Sequence, residues 1–372
     1  MLSDNNTQAF FALVKAGLWE QEVRLSQFDK IDFGKVLNLA EEQSVVGLVA
    51  AGLEHVTDVK VPQIWALQFA GQTIQLEQQN LSMNHFISMI LKKLQSMKVK
   101  SVLIKGQGIA QCYERPLWRA SGDIDLLLNM ENYEKGKKYL KSLSETEPEE
   151  YSHNKEYSTT IGGWSLELHG SLRSGLSFSF NKGVDTVQKE ICDNHHVRFW
   201  DVEGMRVSLP AENEDVIVVF THFIKHFYKG GLGIRQICDW CRLLYTYRES
   251  IDVRLLKKRL CQLNLLTEWK AFSAFAVEYL GMSIDAIPLY CSKKKWSRKS
   301  DRISKFLIEV GNFGHNTENG SYMKYPFLIR KAISMGKRIN ALLRHSFIFP
   351  TKTVLYLPYV MMTGLKSAIK GE

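Results

Sequence analysis

The residues best suited to chemistry are two aspartates one residue apart, Asp123 and Asp125, in the apolar run Gly122-Asp123-Ile124-Asp125-Leu126-Leu127-Leu128. In an extended strand alternate side chains share a face, so both carboxylates point one way while Ile124, Leu126 and Leu128 point into a core. Paired carboxylates on one face suit a hard, oxygen-seeking cation such as magnesium. Aspartate is a poor strand former, and its place in an Ile/Leu run is a local conflict that a function would explain. An exposed strand end or a turn would also hold such a pair, and Asp-x-Asp alone is a weak motif.

A third carboxylate can come from a neighbouring strand. Residues Lys155 to Ser171 read as a hairpin, with β-rich runs on either side of Gly162-Gly163, a dipeptide suited to a tight primed turn. In its second arm Trp164, Leu166 and Leu168 alternate with Ser165, Glu167 and His169, giving one apolar face and one face carrying Glu167 and His169. If this arm lies beside the aspartate strand, Glu167 completes a three-carboxylate site for two divalent ions, the arrangement used in phosphoryl or nucleotidyl displacement. A polar face on an edge strand is the competing reading.

Lys105-Gly106 opening a helix, then Arg119, then Gly122-Asp123-Ile124-Asp125-Leu126-Leu127, then Glu167-Leu168-His169, together resemble the uncharacterised bacterial nucleotidyltransferases of the polymerase-beta-like superfamily. The resemblance implies a magnesium-dependent transfer of a nucleoside monophosphate from an NTP to an acceptor, with manganese as a substitute ion. It implies that Asp123, Asp125 and Glu167 bind metal and that Glu167 or His169 receives a proton. Lys105, Gly106, Gln107, Arg119 and Gly122 are implied to contact the nucleotide. So are Arg235 and Asp239, from a later helical element similar to one that packs beside the nucleotide in that family, with an internal ion pair as the competing reading. In one respect the chain departs from the pattern: Gln107 stands where many members place serine, and the gap to Asp123 is longer. A backbone N–H at a helix start binds an anion without a hydroxyl. No Walker-type phosphate loop is present, and GQG is too short for a dinucleotide fingerprint.

The elements that must position these groups fall into three regions. Residues 1–98 are helical by periodicity, with a long segment opening at Pro62 in which Ile64, Leu67, Ile74, Leu81, Ile87, Ile90 and Leu91 fall near helical spacing and read as a core stripe. Residues 99–210 read as strand, helix, strand, helix, then further strands, with a second hairpin turn at Glu203-Gly204. Residues 211–372 return to helix. The expected class is α+β, a small mixed sheet flanked by helical regions. His222 and His226 share one helical face, where a metal or phosphate role and a packing role are equally open.

The 372-residue chain is 45% hydrophobic and 23% charged, enough for a substantial core. Six irregularly spaced cysteines and no secretory leader lead to the expectation of a reducing cytoplasm. Cys238 and Cys241 lack a second pair for a zinc site and read as core thiols. No stretch reads as a transmembrane span. Lysine and arginine number 26 against 13 acidic residues after residue 210, and 22 against 26 before it. This basic end, densest at Lys293 to Lys299, could meet an anionic surface or present an ordinary solvated face. The acceptor, whether small molecule, RNA or protein, stays open. So do two other classes, a non-catalytic nucleotide sensor and a helical interaction protein.

Overall fold

A computed structural model describes residues 4–151, 155–229, 231–310 and 327–370. The chain opens with α1 (Asn5–Trp19), α2 (Phe33–Glu42), α3 (Val46–Glu54) and the long α4 (Gln63–Ser96). The central part runs β1 (Val102–Ile104), α5 (Gly106–Ala110), β2 (Asp123–Leu127), α6 (Met130–Leu143), β3 (Glu149–Tyr151), β4 (Glu156–Ile161), β5 (Trp164–His169), α7 (Phe178–Cys192), β6 (Val197–Val202) and β7 (Met205–Pro210). Helices then follow: α8 (Glu212–Lys229), α9 (Ile234–Thr246), α10 (Val253–Gln262), α11 (Leu266–Leu280), α12 (Lys294–Val310), α13 (Phe327–Ser346) and α14 (Pro350–Lys370). The fold is α+β, as expected.

Local chemistry fixes many of these boundaries. Asp4, Asp32, Asn129, Ser177 and Asp252 each accept a backbone N–H in the first turn of the helix that follows, satisfying a donor the helix itself leaves open. Gly162 and Gly163 turn the β4–β5 hairpin with φ of +58° and +75°, the left-handed pair that a primed turn demands.

The sheet has the order β1-β2-β5-β4-β3, with β2 and β5 parallel and the other neighbours antiparallel. Ile124, Leu126 and Leu128 enter a core with Leu166, Leu168, Tyr133 and the inner residues of α4. A larger core joins α1–α3 to the helices after β7. Polar side chains pin these parts together: Trp19 Nε1 donates to the Leu280 carbonyl at 2.6 Å, and buried Gln43 bonds both Leu307 O and Ile234 N. The separate β6–β7 ribbon packs beside β1.

The structure corrects two sequence expectations. Helix α7 occupies a stretch where only strands were expected. The stripe on α4 divides: Ile87, Ile90 and Leu91 are buried, but Ile64 (70% exposed), Leu67 (64%), Ile74 (56%) and Leu81 (53%) face solvent. Cys238 and Cys241 are buried core thiols, and burial pushes both upward in pKa. Among the described residues no helix is long and apolar enough to cross a membrane. Lys293, Lys294, Lys295 and Arg298 are exposed around the start of α12, while Trp296 between them is buried.

Helices α1 and α3 approach so closely that a Cβ on Gly52 would lie 2.1 Å from the Leu13 carbonyl oxygen. Gly52→Ala is therefore expected to lower unfolding free energy by about 1–3 kcal/mol in denaturant titration, since two backbones must separate.

Candidate active site

Strand β2 carries the aspartates, and its parallel partner β5 sets Glu167 opposite Asp125, Ser165 opposite Asp123 and His169 opposite Leu127. The hairpin arm thus lies beside the aspartate strand. Asp125 is only 2% exposed, and burying a carboxylate requires compensation. Lys105, at the end of β1, reaches Asp125 Oδ1 with its Nζ at 2.7 Å. His169 Nε2 lies 2.7 Å from the same oxygen and 3.4 Å from Glu167 Oε2.

The carboxyls respond in opposite directions. Burial alone would raise Asp125, but the Lys105 charge and the His169 hydrogen bond overcome it and hold the group well below the usual range. Asp123 is raised, first by the Asp125 charge and then by burial. For Lys105, burial opposes the charged form, yet Asp125 and Asp123 together raise its pKa. Burial also opposes the His169 imidazolium, and hydrogen bonds to Asp125 and Glu167 outweigh it.

Donor atoms of Asp125, Glu167 and His169 all lie within 4.8 Å of one another, close enough to share a cation. Two carboxylates and an imidazole, with the Asp123 carboxylate on the same strand face, fit a divalent ion. The close cluster contains His169 in place of Asp123, which lines the same cavity.

The opposite wall is helical. His222, Lys225 and His226 line it from α8 and Arg235 from α9, around a cavity of about 170 Å³ that also meets Lys105, Gly106, Asp123 and Glu167. Lys105 Nζ lies 3.3 Å from His222 Nδ1. The two imidazole rings are 4.5 Å apart. Burial first, and then neighbouring Lys105, holds His222 well below its ordinary value. His226 falls to about 3 through burial and the Lys225 charge.

Other expected residues are differently engaged. Arg119 makes a buried two-pronged pair with Asp239, Nε to Oδ1 and Nη2 to Oδ2, both at 2.7 Å, and Tyr113 donates to Asp239 at 2.8 Å. Arg235 donates through Nη1 to Ala120 O at 2.8 Å, while its buried Nε has no hydrogen-bond partner among the described residues. Gln107 turns into α4, donating to Asn80 Oδ1 at 2.8 Å. Gly106 lines the cavity with φ of +43°, whereas Gly122 is exposed outside its wall.

Sequence reasoning missed Glu156 and Lys225, which face each other at 3.9 Å in the cavity wall. Both were accessible to it: Glu156 stands opposite His169 in the hairpin register, and Lys225 shares the helical face of His222.

A family model described as an uncharacterised nucleotidyltransferase matches residues 29–281. The chain belongs to this nucleotidyltransferase family. No curated protein and no solved structure matches it. The nucleotidyltransferase match spans every cavity residue named above and ends at Gly281, before α12.

Burial keeps His226 neutral, whereas the unfolded chain protonates it below about pH 6.5. The unfolded state therefore binds the extra proton, and stability falls as pH drops through 6.5 toward the folded value near 3. Melts from about pH 7.5 to about pH 5.5 should show His226→Gln losing about 1 kcal/mol less stability than the wild type.

Proposed function

We propose that this nucleotidyltransferase uses a divalent ion, magnesium or manganese, to move a nucleoside monophosphate from an NTP to an acceptor. The observation that carries this reading is the convergence of Asp123, Asp125 and Glu167 with Lys105 and Arg235 on one cavity. Asp123, Asp125 and Glu167, with His169 beside them, would hold the ion or ion pair. When bound, such ions neutralise phosphate charge and lower the pKa of an attacking hydroxyl.

The chain's own residues supply the rest. An acceptor oxygen forms the new bond to the α-phosphorus as the bond to the leaving pyrophosphate breaks, and the acceptor's proton passes to Glu167. Glu167 is suited to that task because its side chain is 25% exposed while Asp125 is sealed between Lys105 and His169. Arg235 and Lys225 are suited to the triphosphate, since among the described residues Arg235 forms no carboxylate pair and Lys225 is held loosely, 3.9 Å from Glu156. Arg119 acts through Asp239, holding the loop before β2 against α9. Gly106 offers backbone at the cavity wall, and Gln107 secures that turn to α4.

In this reading residues 99–210 form the transferase core of a polymerase-beta-like protein, and residues 1–98 and 211–372 are the helical regions that close it. A reducing cytoplasm suits its six free cysteines. A second reading, a nucleotide sensor without turnover, is favoured by the Lys105 ammonium seated on Asp125.

Pyrophosphate release and label transfer from each of the four NTPs, with magnesium or manganese and a cell extract as acceptor pool, separate the two. The transferase reading expects turnover that falls about 100-fold or more in Asp123→Asn and Asp125→Asn. Nucleotide binding without turnover supports the sensor, and unchanged turnover in both variants overturns the assigned roles.

A further inference from the structure

The exposed stripe on α4 has a partner built into its own pattern. Positions 64, 67, 71, 74, 78 and 81 alternate steps of three and four and carry Ile, Leu, Gly, Ile, Gln and Leu. That is the 3.5-residue repeat of a coiled-coil seam, running about 26 Å along the helix. The four large apolar members are each more than half exposed, although α4 buries its other face on the protein. Among the described residues a Cβ on Gly71 would meet nothing within 4 Å, so the middle of the seam is open to close approach.

The surroundings of the stripe narrow the choice of partner. Between Gln63 and Asn84 the helix has one charged residue, Glu77, and that carboxylate accepts from Trp118 Nε1 at 2.6 Å on the inner side. Gln63, Gln68, Gln75, Gln78 and Gln79 are exposed around the stripe. A solvated helix face normally carries charge, and this chain is 23% charged overall. A membrane-surface helix needs a basic polar face, and a charged protein partner needs an opposite charge; this face offers neither. A second copy brings the same heptad stripe and the same amide border. Two such faces meet about a two-fold axis with no like charges opposed, in a chain whose net charge of +9 disfavours self-contact elsewhere.

We propose that the protein is a homodimer joined through the Ile64–Leu81 stripe of α4. Gln78 is the polar seam position that fixes register, as single buried amides do in coiled coils. The dimer backs the catalytic scaffold without entering it: on the inner face of the same helix, Asn80 holds the Leu117 and Arg119 carbonyls at 2.7 and 2.8 Å.

Sedimentation velocity and light scattering on the full chain at micromolar concentration test this. The wild type should have twice the 42.7 kDa chain mass. Leu67→Glu/Ile74→Glu and Leu67→Lys/Ile74→Lys should each be monomeric and folded, with unchanged circular dichroism because both side chains face solvent within one copy, and should melt below the wild type at a temperature that no longer depends on protein concentration. Mixing the two variants should restore the doubled mass. A monomeric wild type, or a dimer that persists in both variants, would overturn the proposal, and neither result bears on nucleotide transfer.

Discussion

The sheet depends on how one buried carboxylate is neutralised. Asp125 sits in the middle of β2, almost wholly removed from water, and an ionised carboxylate there is tolerable only because Lys105 and His169 both reach the same oxygen. Much local structure serves that arrangement. Lys105 adopts φ of +60°, an unfavourable conformation for a residue with a side chain, at the point where β1 hands over to α5. His169 comes from the far end of β5, so the parallel β2–β5 pairing is required to bring it within reach. The same cluster that makes Asp125 affordable in the core is the one whose donor atoms could share a cation.

A second buried pair, Arg119 with Asp239, ties the loop before β2 to α9. It lets helices from beyond the sheet form the opposite wall. The strands and their ends bring Asp123, Asp125, Glu167, His169 and Lys105, and α8 and α9 bring His222, Lys225, His226 and Arg235. The cavity sets five carboxylates, Asp123, Asp125, Glu156, Glu167 and Asp239, against four cations, Lys105, Arg119, Lys225 and Arg235, and that near balance suits a site that must take both a cation and a polyphosphate. Helix α4 supports this from behind: Asn80 and Gln107 bond to each other, and Asn80 holds the loop carbonyls.

Much of this was legible in the chain. Period-two alternation exposed the aspartate strand and the Gly162-Gly163 hairpin because each carries a strong local pattern and a turn with one stereochemical solution. Proximity of Glu167 to Asp125 depended on strand order, which local pattern does not encode; the polar alternation of Glu167 and His169 only suggested it. Arg119 and Asp239 were each noted, but their mutual pairing across 120 residues left no local trace. Helix α7 was missed although Val184, Val187 and Ile191 are helically spaced, since the preceding Ser/Gly-rich stretch reads as loop. The α4 stripe was misread for a different reason: periodicity locates an apolar face but not what covers it, and α4 carries one buried face and one exposed face on the same helix.

The central claim is that the carboxylates around Asp125 hold a divalent ion together with a nucleotide. Its most direct test is electron paramagnetic resonance of bound Mn²⁺, with and without a non-hydrolysable NTP analogue, in the wild type, Asp125→Asn and Glu167→Gln. The account predicts a bound-ion spectrum in the wild type, tighter ion binding when nucleotide is present, and loss of that binding in both variants. Equal Mn²⁺ binding in the wild type and both variants would contradict it.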